Sequence, residues 1–134
     1  MIYLPEKVYR QLETKIVPLV RALHEIDIPT RESCQGHLGK PGRDPFPYVL
    51  VDGTSSIFYP NQFIQLLGVV KAWNQFRERK WQWLLAEHVE NGVVFYQIFR
   101  LGPWEANINH SSVTLSRLRN NALSLAEFII HYPS

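Results

Sequence analysis

The chain has 134 residues, 46% of them hydrophobic and 19% charged, which is enough for one core and too little for two. That composition excludes a disordered or low-complexity chain. Fourteen Lys and Arg against twelve Asp and Glu leave a net charge of +2, too small by itself to imply a nucleic-acid or membrane partner. The lone cysteine, Cys34, excludes an internal disulfide and a zinc site built on paired cysteines. The start, Met1-Ile2-Tyr3-Leu4-Pro5-Glu6-Lys7, has neither the basic nor the apolar part of a secretory signal, and no run of about eighteen apolar residues occurs. A single cytoplasmic domain over 1–134, with no membrane partner, is the expectation.

From Pro5 to about Leu23 the apolar residues Val8, Leu12, Ile16, Leu19, Val20 and Leu23 recur at three- and four-residue steps, which predicts a helix. Pro18 lies inside that pattern and should kink or end it near Thr14. Glu25-Ile26-Asp27-Ile28 alternates at period two, so a short strand is expected there, interrupted by Pro29 and running to about Ser33. Gln35 to Pro47 holds three Gly and three Pro and reads as a long loop. Tyr48 to Asp52 is a nearly continuous apolar run closed by Gly53, as expected of a buried strand.

A second helix is expected from Pro60 to Arg79, with Phe63, Ile64, Leu67, Val70, Trp73 and Phe76 inward. Two aromatic and β-branched runs, Trp81 to Val89 and Val93 to Leu101, flank Asn91-Gly92, the strongest two-residue hairpin signal. A type I′ turn there would set Trp83 opposite Arg100, Leu85 opposite Ile98 and Glu87 opposite Tyr96, allowing a Trp83–Arg100 cation–π pair. Both hairpin faces are largely apolar and should be covered over much of each side, by helices, a second copy or a ligand. The last helix is expected to start near Ser111 or Ser112 and to bury Leu115, Leu118, Ala122, Leu125 and Ile129. The fold class is therefore α+β, in the order α-β-β-α-β-β-α, with a four-stranded, mostly antiparallel sheet packed by helices.

The segment Thr30-Arg31-Glu32-Ser33-Cys34-Gln35-Gly36-His37 places a thiol and an imidazole three residues apart where a strand enters the Gly/Pro loop. A Cys-x-x-His pair can share a metal, or the imidazolium can lower the thiol pKa and produce a thiolate nucleophile near neutral pH. The glycines leave backbone N–H groups uncovered, so an anion could be cradled beside Lys40 and Arg43. Cys34 and His37 are thus the candidate catalytic pair, and Ser33, Gly36, Lys40 and Arg43 the candidate ligand-binding residues. No metal site is assigned, because only two ligands are local, and Asp44, Asp52, His24 or His110 would have to complete it across the fold. The plain alternative is a cysteine that is only a small buried hydrophobe in a loop that is only a set of turns.

The same run, followed by Pro47-Tyr48-Val49, resembles the Thr-x-x-Ser-Cys-x-Gly-His…Pro-Tyr-Val segment of small, uncharacterised bacterial and phage proteins, a resemblance that implies no activity. Ser33-Cys34-Gln35-Gly36 is also similar to the Ser-Cys-x-Gly-Arg stretch of the wybutosine-synthesis methyltransferase family, which modifies transfer RNA. His37 stands where that family has Arg, and no separate methyl-donor signature is present. The resemblance implies only that Ser33, Cys34, Gly36 and His37 line a site.

A second patch interleaves cations and aromatics: Lys71, Arg77, Arg79 and Lys80 with Trp73, Phe76, Trp81 and Trp83. Such a patch can stack bases and pair phosphates. The competing and favoured explanation is that Arg77, Arg79 and Lys80 complement the negative C-terminal end of a helix while Trp73 and Phe76 face the core. Nucleotide-triphosphatase, dehydrogenase and serine-hydrolase fingerprints are absent. The first functional expectation is a binding or accessory module with a small-molecule or anion site at the Cys34–Arg43 loop, its cofactor unidentified. The alternatives are a thiol-dependent enzyme using Cys34 and His37, and a homo-oligomerising interaction protein using the hairpin's apolar face.

Overall fold

The computed structural model describes residues 2–37, 46–52, 60–101 and 112–132. The elements are α1 (Glu6–Arg10), α2 (Val17–Glu25), β1 (Thr30–Cys34), β2 (Tyr48–Asp52), α3 (Pro60–Asn74), a 3₁₀ turn (Arg79–Trp81), β3 (Trp83–Glu90), β4 (Val93–Leu101) and α4 (Ser112–His131). The class is α+β with an antiparallel sheet, and the strand order among the described residues is β1-β2-β4-β3. Among those residues no helix is long and apolar enough to cross a membrane.

The expected first helix is two helices, so the order departs from the one predicted. Pro18 lies in the first turn of α2, where its missing N–H costs no helical hydrogen bond. The break falls before it, at residues 11–16, and this connection carries Glu13. The expected strand over Glu25 to Ile28 is instead the end of α2. The Ile28 N–H bonds Leu23 O at 2.9 Å and the Asp27 N–H bonds His24 O at 3.1 Å, with Asp27 in the left-handed region at φ 63. This is a Schellman cap, and its usual apolar clasp is made by Leu23 and Ile28, both fully buried. The apolar alternation came from that clasp, and β1 starts only at Thr30.

In α3 the buried stripe is Leu66, Val69, Val70 and Trp73, while Ile64 and Leu67, and Phe76 beyond its end, are exposed. The helix is apolar on more than one face, so periodicity offered two stripes, and the contacts with α4 and β3 select this one. It also ends at Asn74 instead of Arg79. Arg77 donates to Trp73 O at 2.5 Å and lies over the Trp73 ring at 3.3 Å from its centroid. Of the patch of cations and aromatics, Arg77 and Trp73 meet at the helix end, with Trp73 buried in the core, whereas Phe76 is exposed.

The hairpin turn is type I′, with Asn91 at φ 51 and Gly92 at φ 77. Glu90 faces Val93 and Val89 faces Val94, but the pairing then shifts and His88 faces Tyr96. One extra residue of β4 at the Phe95 backbone position is a bulge, and it moves every later pair by one. Trp83 therefore faces Leu101 and Leu85 faces Phe99, not Arg100 and Ile98. Trp83 packs on Phe99 with ring centroids 4.9 Å apart, and Arg100 lies over Phe46 at 5.8 Å, so the Trp83–Arg100 pair does not form. Trp83, Phe99, Leu101, Val49 and Val51 share the face buried under the helices. The reverse face presents Leu84 and Ala86 exposed and Leu50 and Ile98 half-buried, so its apolar residues are covered less than expected.

Candidate functional site

Cys34 is the last residue of β1, an edge strand of the sheet among the described residues, and stands opposite Tyr48 of β2. After it the chain turns sharply, with Gly36 at φ 89, a conformation that glycine adopts without strain. The turn brings His37 back beside Cys34. The third member of the cluster is Glu13, from the α1–α2 connection. One ligand atom from each of Glu13, Cys34 and His37 lies within 4.8 Å of the other two.

The contacts inside the cluster are specific. His37 Nε2 and Glu13 Oε2 form an ion pair, with side chains 11% and 29% exposed. Glu13 Oε1 accepts the Gln35 N–H at 3.1 Å, and Gln35 Oε1 in return accepts the Lys15 N–H at 2.9 Å. This reciprocal clasp fastens the α1–α2 connection to the end of β1. Burial alone would raise the Glu13 pKa; the Gln35 N–H, the His37 charge and hydrogen bonds from His37 and Cys34 outweigh it and hold the carboxyl below its ordinary value. Cys34 is buried at 3% exposure, and its sulfur accepts the Gly36 N–H at 3.4 Å. From α4, Arg119 donates to Gln35 O at 3.3 Å and to Gly36 O at 2.8 Å.

Of the residues singled out in the sequence, Cys34, Gly36 and His37 come together. Ser33 does not join them: it faces Val49, on the opposite side of the strand from Cys34, and its buried Oγ has no hydrogen-bond partner among the described residues. Lys40 and Arg43 lie outside the described residues, as do Asp44 and His110. His24 cannot complete a metal site, because its ring is held between the Tyr9 hydroxyl at 2.7 Å and Thr30 Oγ1 at 2.9 Å, at the far end of β1. Asp52 ends β2 at the edge away from Tyr48 and Cys34. Glu13 and Arg119 were missed. Glu13 falls within the helical pattern from Pro5 to Leu23, where the one sequence signal near it is the break that Pro18 imposes near Thr14.

A groove of about 690 Å³ runs between α3 and β3 along Leu67, Val70, Lys71, Trp83 and Leu84. It is open and mostly apolar, and Lys71 is the only charged residue among the described residues that line it. The Glu13–Cys34–His37 cluster holds the convergent chemistry, so it is the candidate site. Comparison with known proteins found no matching family model, no matching curated protein and no matching solved structure.

Proposed function

We propose that this protein is a binding module for a divalent transition-metal ion of the zinc class, held by Glu13, Cys34 and His37. The observation that carries this reading is the convergence of one carboxylate, one thiol and one imidazole donor within 4.8 Å. A tetrahedral ion with bonds of about 2.0–2.3 Å needs donors about 3.3–3.8 Å apart, and the three donors of this cluster lie within 4.8 Å of one another. On binding, the ion takes the place of the direct His37–Glu13 contact. A carboxylate, a thiolate and a neutral imidazole carry a charge of −2, which balances a divalent cation. Glu13 therefore argues for a cationic ligand at this point over the anion suggested by the glycine turn.

The same three groups could serve thiol-dependent catalysis, with Glu13 orienting His37 and His37 acting as base toward Cys34. The 3% exposure of Cys34 favours the ligand role, since a nucleophile must be reached by its substrate. Titration with Co²⁺ tests the proposal. One equivalent should produce a thiolate-to-cobalt charge-transfer band together with the visible bands of a tetrahedral ion, and Cys34→Ser should lose the charge-transfer band. A wild-type protein that binds neither Co²⁺ nor Zn²⁺ would overturn it.

A further inference from the structure

We infer that Arg119 is a positioning residue for this site: through the Gln35–Gly36 peptide it aims the Gly36 N–H at the Cys34 sulfur and presets the turn that joins Cys34 to His37. The inference deepens the metal-binding reading and rests on it for its effect on the ion. The geometry is that of a planar trans peptide, whose C=O and N–H point in opposite directions. Arg119 holds Gln35 O at 3.3 Å, so the N–H on the other side of the same peptide is turned away from α4, and it meets Cys34 Sγ at 3.4 Å. The second guanidinium nitrogen holds Gly36 O at 2.8 Å and fixes the next peptide, which leads into His37. A planar fork on two successive carbonyls sets both peptide planes at once, which a lysine ammonium cannot do with the same geometry.

The preset turn removes part of the ordering cost of bringing two ligands to one ion. Partners of this kind, which act on ligands without touching the metal, typically change affinity by about 10–100-fold. Arg119 is separated by 83 residues from Gly36, and it is half-buried between α4 and the turn. Its placement makes the site dependent on the packing of α4.

The test compares wild type, Arg119→Gln and Arg119→Lys by Co²⁺ titration, alongside amide exchange at Gly36 measured relative to the amides of β2. For Arg119→Gln, Co²⁺ affinity should weaken about 10-fold or more, the charge-transfer band should shift as the N–H···S bond is lost, and Gly36 should exchange faster. Arg119→Lys should recover only part of each effect, and it carries the comparison if Arg119→Gln fails to fold. Unchanged affinity, band position and Gly36 exchange in a folded variant would overturn the inference. Should wild type bind no Co²⁺, the metal reading fails, and Gly36 exchange then decides the role of Arg119 alone: faster exchange in the variant supports it, and equal exchange overturns it.

Discussion

Glu13→Gln separates a ligand from a merely structural carboxylate. In the folded chain Glu13 pairs with His37 and accepts the Gln35 N–H. A glutamine keeps an oxygen for the Gln35 N–H and loses the charge. The pair is partly exposed, at 11% and 29% of the two side chains, so solvent screening limits its removal to a cost of about 1 kcal/mol in the metal-free protein. The metal-dependent effect is larger. An ion at 100 times its dissociation constant stabilises the folded state by about 2.7 kcal/mol. With an unfolding entropy of about 2.1 cal/mol/K per residue over 134 residues, that corresponds to a rise of about 10 °C in the midpoint. Calorimetry with and without Zn²⁺ should therefore show a shift of about this size for wild type at saturating ion. Glu13→Gln should start a few degrees lower and lose most of the shift. A variant with the full wild-type shift would refute Glu13 as a ligand, whatever its metal-free stability.

Two further outcomes follow from contacts away from the site. Burial lowers the pKa of His24 from its ordinary 6.5, so as pH falls through about 6.5 the unfolded chain takes up a proton that the folded chain resists. The contribution of neutral His24 is present above that value and is lost as pH falls toward the folded pKa, by at most about 1.4 kcal/mol per pH unit for one proton; urea midpoints that stay flat between pH 7 and 5 would contradict this. Asn74 closes a two-way bond with the backbone of buried Trp83, accepting its N–H at 2.9 Å and donating to its carbonyl at 2.8 Å. Asn74→Ala should cost about 2 kcal/mol in urea unfolding, and a loss under about 0.5 kcal/mol would mean that water replaces both bonds.

What could be read from the residues follows how local each signal is. The α+β class, the strand over Tyr48–Asp52 and the Asn91-Gly92 turn rest on neighbours in sequence, and all three are present. The misreadings arise where one local pattern has two structural solutions. Apolar residues at Ile26 and Ile28 fit a strand, yet Asp27 in the left-handed region turns them into a helix cap. A two-residue turn sets the hairpin register only until a bulge intervenes, and no side chain near Phe95 announces one. In the site the division is the same. Cys34 and His37 are three residues apart and were visible as a pair, whereas Glu13 and Arg119 join them only through the packing of α2 and α4.

That division has a consequence for how binding and folding are linked. The unfolded chain retains Cys34 and His37 in one short segment, so it can offer two donors to an ion. The third donor arrives only when the α1–α2 connection is fastened to the end of β1 by the Glu13–Gln35 and Gln35–Lys15 bonds. α2 packs against both β1 and α4, and α4 carries the Arg119 fork that shapes the turn. An ion that needs all three donors therefore discriminates between the folded chain and the denatured one, which is the condition for stabilisation by mass action to be fully expressed. If the local pair alone bound the ion, the denatured state would share the affinity and the thermal shift would shrink even with the ion bound. Measuring Co²⁺ affinity in urea beside the thermal shift thus distinguishes a site made by the fold from one already present in the turn.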